Sequence, residues 1–105
     1  MTKIRVLYRE NRVVGLQVSG HTGYAREGKD IVCAAVSAIV QTAYLGVNHL
    51  TGVKVEYQSE EGFFRVEILG GPENEQEKAS LILSAALEGL KDLQSGYPRY
   101  IKMED

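Results

Sequence analysis

Residues 31 to 50, from Ile31 to Leu50, are apolar with few interruptions. Ala34, Ala35, Val36, Ala38, Ile39, Val40, Ala43, Leu45, Val47 and Leu50 cannot all lie on one narrow helical stripe, so a helix built from them must be covered on more than one side. The segment is long enough to cross a bilayer, but Gln41, Thr42, Asn48 and His49 lie inside it, and polar groups are costly in hydrocarbon. The core helix of a globular domain fits better. Its polar residues are themselves ordered: Cys33, Ser37, Gln41, Tyr44 and Asn48 recur every three or four positions and form one stripe. Asp30 is placed to cap this helix, its carboxylate taking a free N–H of the first turn, which makes Cys33 the third helical residue.

The remaining sequence supplies strands to pack against such a helix. Ile4, Val6 and Tyr8 alternate with Lys3, Arg5 and Leu7, and after Glu10-Asn11-Arg12 the alternation resumes with Val14, Leu16 and Val18, which predicts a hairpin. Thr51-Gly52 ends the helix. Val53, Val55 and Tyr57 form a third strand, Ser59 to Gly62 a turn, and Phe64, Val66 and Ile68 a fourth strand. After Gly70-Gly71-Pro72, a second helix begins near Glu73 to Glu77, where acidic residues complement the helix dipole and otherwise read as a solvated first turn. Ala79, Ile82, Leu83, Ala86, Leu90 and Leu93 give it an apolar stripe, and Gly96 is a natural C-cap. Tyr100 to Met103 makes a short last strand after Pro98, suited to a sheet edge. The order ββαββαβ predicts a two-layer α+β fold, a mostly antiparallel or mixed sheet with two helices on one face. At 105 residues, 1–105 is expected to be a single domain. The nearly all-round apolar first helix, with Tyr44 and Leu45 on its remaining face, points to a homodimer.

Charge and cysteine content narrow the partners. Twelve basic and fourteen acidic side chains give a net charge of −2, so neither nucleic acid nor an anionic membrane is an expected direct partner. One cysteine makes no internal disulfide, and no zinc-site spacing is present, so no metal or other cofactor is expected. Met1 to Arg5 runs straight into strand sequence without a signal-peptide pattern, and a cytoplasmic location is expected.

The chemistry concentrates between Gly20 and Cys33, which hold one of two histidines and the only cysteine. Gly23-Tyr24-Ala25-Arg26-Glu27-Gly28-Lys29 matches the first seven positions of a phosphate-binding Walker A loop, but Asp30 stands where Ser or Thr should ligate magnesium, and its carboxylate would repel phosphate. The glycines then read as loop residues. Cys33 has two readings. It is a small hydrophobe among Ile, Val and Ala, or a nucleophile at a helix N-terminus, where free N–H groups and the dipole favour a thiolate and can hold an oxyanion. His21 is either a solvent-exposed loop residue or a proton carrier. If it reaches Cys33, the two form a nucleophile with its general acid/base. Asp30 could orient the imidazole or serve as a plain N-cap, and Ser37, one turn below Cys33, could bond into the site or to its own helix.

The string Gly20-His21, Gly28, then Asp30-Ile31-Val32-Cys33-Ala34-Ala35-Val36-Ser37-Ala38 resembles the signature of the ribosomal-processing cysteine proteases, the Prp or YsxB-like family. The resemblance implies a cytoplasmic homodimeric endopeptidase that removes the N-terminal extension of large-subunit ribosomal protein twenty-seven, cutting after a hydrophobic segment with paired phenylalanines. It implies Cys33 as nucleophile, His21 as general acid/base, Asp30 and Ser37 in support, and Gly20, Gly23 and Gly28 in a mobile loop that orders over substrate. Thr22 departs from the alanine expected after the histidine. A ribosome-associated binding module with an unreactive Cys33 is the alternative.

Overall fold

Strands β1 (Thr2–Arg9) and β2 (Arg12–Ser19) form the hairpin in the computed structural model, which describes residues 1–21, 23–26 and 30–104. Glu10 and Asn11 between them have φ of 52° and 64°. Two consecutive left-handed residues make the turn type whose twist matches that of the flanking strands. The elements that follow are α1 (Ile31–Leu50), β3 (Lys54–Glu60), β4 (Phe63–Gly70), α2 (Glu73–Gly96) and β5 (Ile101–Glu104), giving the ββαββαβ order.

The sheet is mixed, in the order β3-β4-β2-β1-β5. Its pairs are antiparallel except β1 with β5, which run parallel with Thr2 opposite Ile101 and Arg5 opposite Glu104. One face carries Ile4, Val6, Leu16, Val18, Phe64, Val66 and Ile68, all buried. The helices cover it, α2 lying chiefly over β2 and α1 beside α2 toward β3. Val32, Val36, Val40, Ala43 and Val47 of α1 meet Ala79, Leu83, Leu87 and Leu90 of α2 in the same core. Each fully buried Leu, Ile or Val contributes about 1.5–3 kcal/mol relative to exposure, so this shared core sets where α1 begins and therefore where Cys33 stands. The other sheet face is polar. Arg65 donates to Gln17 at 2.7 Å and pairs with Glu67 at 2.8 Å, and Arg9 pairs with the same Glu67 at 3.5 Å.

Several local expectations need correction. The β1–β2 register passes from Leu7↔Gly15 to Tyr8↔Val13, skipping Val14, and beyond this bulge Tyr8 is 55% exposed instead of inward. Tyr44 is half-buried, with its ring stacked on Tyr57 of the same chain at 3.7 Å and 13°, and Leu45 is exposed. Helix α2 runs through Gly96 to a cap at Tyr97, whose N–H reaches the carbonyls of Leu93 and Gln94 at 3.0 and 3.1 Å. Tyr97 has φ of −133°, so no left-handed glycine is required there.

The first turn of α2 also does more than meet solvent. Glu73 pairs with Arg12 of β2. Glu75 accepts the Gly52 N–H at 2.7 Å and the Lys78 ammonium at 2.8 Å, and Gln76 donates to the Gly71 carbonyl at 2.6 Å. The hydrogen bond from Arg12 holds the Glu73 carboxyl below the usual carboxylate range, and those from Lys78 and then Gly52 do the same for Glu75. These contacts tie the start of α2 to β2 and to the connection that leaves α1.

Candidate active site

Asp30 is the N-cap of α1, with an extended backbone (φ −83°, ψ 99°), and its Oδ1 accepts the Cys33 N–H at 2.8 Å. Its main-chain carbonyl accepts the Ala34 N–H at 3.1 Å. Oδ2 faces the other way and accepts the N–H groups of Tyr24 at 3.1 Å and Ala25 at 3.4 Å. One carboxylate thus fixes the first turn of the helix and holds the preceding loop beside it. Asp30 thereby occupies the Tyr24 and Ala25 N–H groups, two loop donors for which a phosphate would have to compete. The cap also narrows the donors open to an oxyanion, since the Cys33 and Ala34 N–H groups are taken within it.

His21 reaches the site from the end of β2. Gly20 donates its N–H to the Gly62 carbonyl at 2.9 Å, joining this end of β2 to the β3–β4 turn. Gly20 has φ of +87°, and a Cβ there would lie 2.5 Å from the Met1 carbonyl oxygen, so glycine is required for both conformation and space. The imidazole then lies against Gly62, where an added Cβ would come within 3.1 Å of His21 Nε2. Gly20 is therefore a fixed corner that aims His21 and does not itself line the pocket.

His21, Gly23, Asp30, Cys33 and Ser37, five of the residues singled out from the sequence, line one pocket of about 460 Å³ together with Ala25, Ala34 and Glu61. Cys33 is half-buried at its wall, not sealed in the core, and His21 is exposed. Ser37 is half-buried one turn further along the same face of α1. Gly28 and Thr22 lie outside the described residues. Glu61 escaped the sequence reading because nothing local marks a turn glutamate as the neighbour of a histidine so far away in the chain. The two corners are joined in the structure by the Gly20 N–H to Gly62 carbonyl hydrogen bond, and both glycines have positive φ. Among the described residues there is no cluster of three side chains able to hold a metal ion.

A thiol and an imidazole that share a pocket suit acyl transfer, in which sulfur adds to a carbonyl and the ring moves the proton. That is the chemistry of a cysteine protease, and comparison with known proteins places this chain among them. Residues 1–102 match the family described as Cysteine protease Prp, and the chain belongs to that family. It is 36% identical over 92 residues to the ribosomal processing cysteine protease Prp of Mycoplasma pneumoniae, covering 86% of this chain and 85% of that one. The Bacillus subtilis protein of the same name is 27% identical over 88 residues, covering 81% and 79%. The fold is that of the ribosomal processing protease Prp from Staphylococcus aureus crystallised with a covalently linked product peptide, with a TM-score of 0.87, 24% identity and 99% and 98% of the two chains covered. SMU.848 from Streptococcus mutans shares it at a TM-score of 0.71 and 26% identity, with 99% and 92% covered.

Proposed function

We propose that this protein cleaves the N-terminal extension of a ribosomal protein, large-subunit protein twenty-seven, with Cys33 as nucleophile and His21 as general acid/base. The observation that carries this reading is the single pocket lined by Cys33 and His21, with Asp30 bonded to the Cys33 N–H. The names of the Mycoplasma pneumoniae and Bacillus subtilis relatives support ribosomal processing, and the product peptide covalently linked in the Staphylococcus aureus protein supports a peptide substrate. The Cys33 thiolate adds to the scissile carbonyl, and the oxyanion meets the dipole of α1 and the first-turn donors that Asp30 leaves open. His21 gives its proton to the leaving amine as the C–N bond breaks, leaving a thioester. It then takes a proton from water, which attacks the thioester and releases the thiolate and the new carboxylate. Ser37 and Asp30 support the site, Ser37 from the pocket wall and Asp30 through the cap. Gly23, and Gly28 by analogy, belong to the loop that meets substrate. No metal or other cofactor takes part, and ribosome assembly places the reaction in the cytoplasm.

A homodimer is part of this reading. An apolar cleft of about 500 Å³ between α1 and α2 is lined by Ala38, Ile39, Thr42, Ala43, Ile82 and Ala86 among others, with Leu81 71% and Leu45 49% exposed. Apolar surface of this extent is suited to a second copy. The test of the chemistry is direct. Cys33→Ala and Cys33→Ser are expected to abolish cleavage of a peptide carrying paired phenylalanines while keeping the fold, and His21→Ala to cost about 10²–10⁴ in rate. Full activity in either Cys33 variant would overturn the assignment.

A further inference from the structure

Tyr24 sits between Gly23 and Ala25, which both line the pocket, yet its own ring engages a distant part of the chain. It meets Tyr97 edge to face, with centroids 5.7 Å apart and planes at 89°, and Tyr100 in the same manner at 5.3 Å and 78°. This is the geometry that the aromatic quadrupole favours. The two partners form a rigid support. Tyr97 caps α2, the Tyr100 N–H donates to the Tyr97 carbonyl at 3.0 Å, the Tyr100 carbonyl accepts the Thr2 N–H at 2.9 Å, and both rings pack on the core. The loop backbone is held at the same point from the other side, where Asp30 Oδ2 takes the Tyr24 and Ala25 N–H groups while Oδ1 holds that of Cys33.

We propose that Tyr24, clamped by Tyr97 and Tyr100, is a positioning residue that sets the Gly23 and Ala25 wall of the pocket relative to Cys33. None of the three tyrosines lines the pocket, so their influence on a bound peptide passes through the loop. The proposal rests on the reading of Cys33 as a peptidase nucleophile. Tyr24 is 42% exposed, so its ring can be removed without opening the core.

The test combines cleavage of a fluorogenic peptide bearing paired phenylalanines with hydrogen exchange at the Tyr24 and Ala25 amides. Tyr24→Ala is expected to lose amide protection and roughly tenfold in kcat/KM, mostly through KM, about what two aromatic contacts supply. Tyr24→Phe should retain both properties. Tyr100→Leu should show part of the loss, since Tyr97 still meets the Tyr24 ring, and the double variant Tyr24→Ala/Tyr100→Leu should be no worse than Tyr24→Ala, which already removes both contacts. Unchanged protection in Tyr24→Ala, protection lost with kcat/KM intact, or losses that sum in the double variant would each overturn the proposal. Absence of cleavage by the wild-type chain would instead overturn the peptidase reading, and the exchange rates would still decide whether the clamp exists.

Discussion

Asp30 divides two tasks between two oxygens, and a substitution can separate them. Oδ1 stabilises α1 by taking the Cys33 N–H, and Oδ2 tethers the loop through Tyr24 and Ala25. Asp30→Ala removes both. Loss of an N-cap costs about 1 kcal/mol, which for a domain of this size lowers Tm by about 4–8 °C. Asp30→Ser keeps a capping oxygen for the Cys33 N–H but has no second oxygen for the loop. Its melting temperature is therefore expected to recover to near the wild-type value, while peptide cleavage stays about tenfold low, on the scale of lost hydrogen bonds to a charged group. Calorimetry beside a cleavage assay distinguishes the two; recovery of activity along with stability would show that the loop tether is idle. At this scale the cap was legible in the sequence because it is local, a carboxylate one position before a helix. The tether was not, nor was Glu61 in the pocket, because both depend on how separate segments meet.

At the scale of elements, each helix and strand could be read from the periodicity of apolar residues, with end positions shifted by a residue or two. What periodicity leaves open is adjacency. The alternation in β1 is the same whether it pairs with β2 alone or also with β5, so the parallel Thr2↔Ile101 pairing and the resulting sheet order were invisible. The acidic start of α2 was legible as dipole complementation but not as a link to Gly52 and Arg12. That link makes a pH prediction. The folded Glu75 carboxyl is held below its unfolded value of about 4.3 by Lys78 and then Gly52, so its contribution to stability is present above the unfolded value. It is lost as pH falls through the depressed folded value. Glu75→Gln should lower Tm at neutral pH, and the gap from wild type should close in acid, where the wild-type side chain is also uncharged. A gap that does not narrow at all as pH falls would mean that the carboxylate charge at Glu75 adds nothing.

For the molecule as a whole, the homodimer reading predicts sedimentation as a dimer at micromolar concentration. Ala85 is exposed and borders the apolar cleft between α1 and α2, so Ala85→Glu is expected to give a monomer with an unchanged circular dichroism spectrum. A monomeric wild-type chain would remove the dimer from the proposal. The parallel pairing of β1 with β5 has another consequence, for the order in which the protein is made. A strand pair that spans nearly the whole chain can close only after its last segment is available, and such long-range contacts form late in folding. Tyr97 and Tyr100, which hold Tyr24, belong to that segment. A nascent chain still lacking them would already contain both the thiol and the imidazole but not the support beneath the loop. On the proposed role of Tyr24, the site is finished only once Tyr97 and Tyr100 have been made, and a nascent chain still lacking them is expected to cleave a substrate peptide more slowly than the full chain.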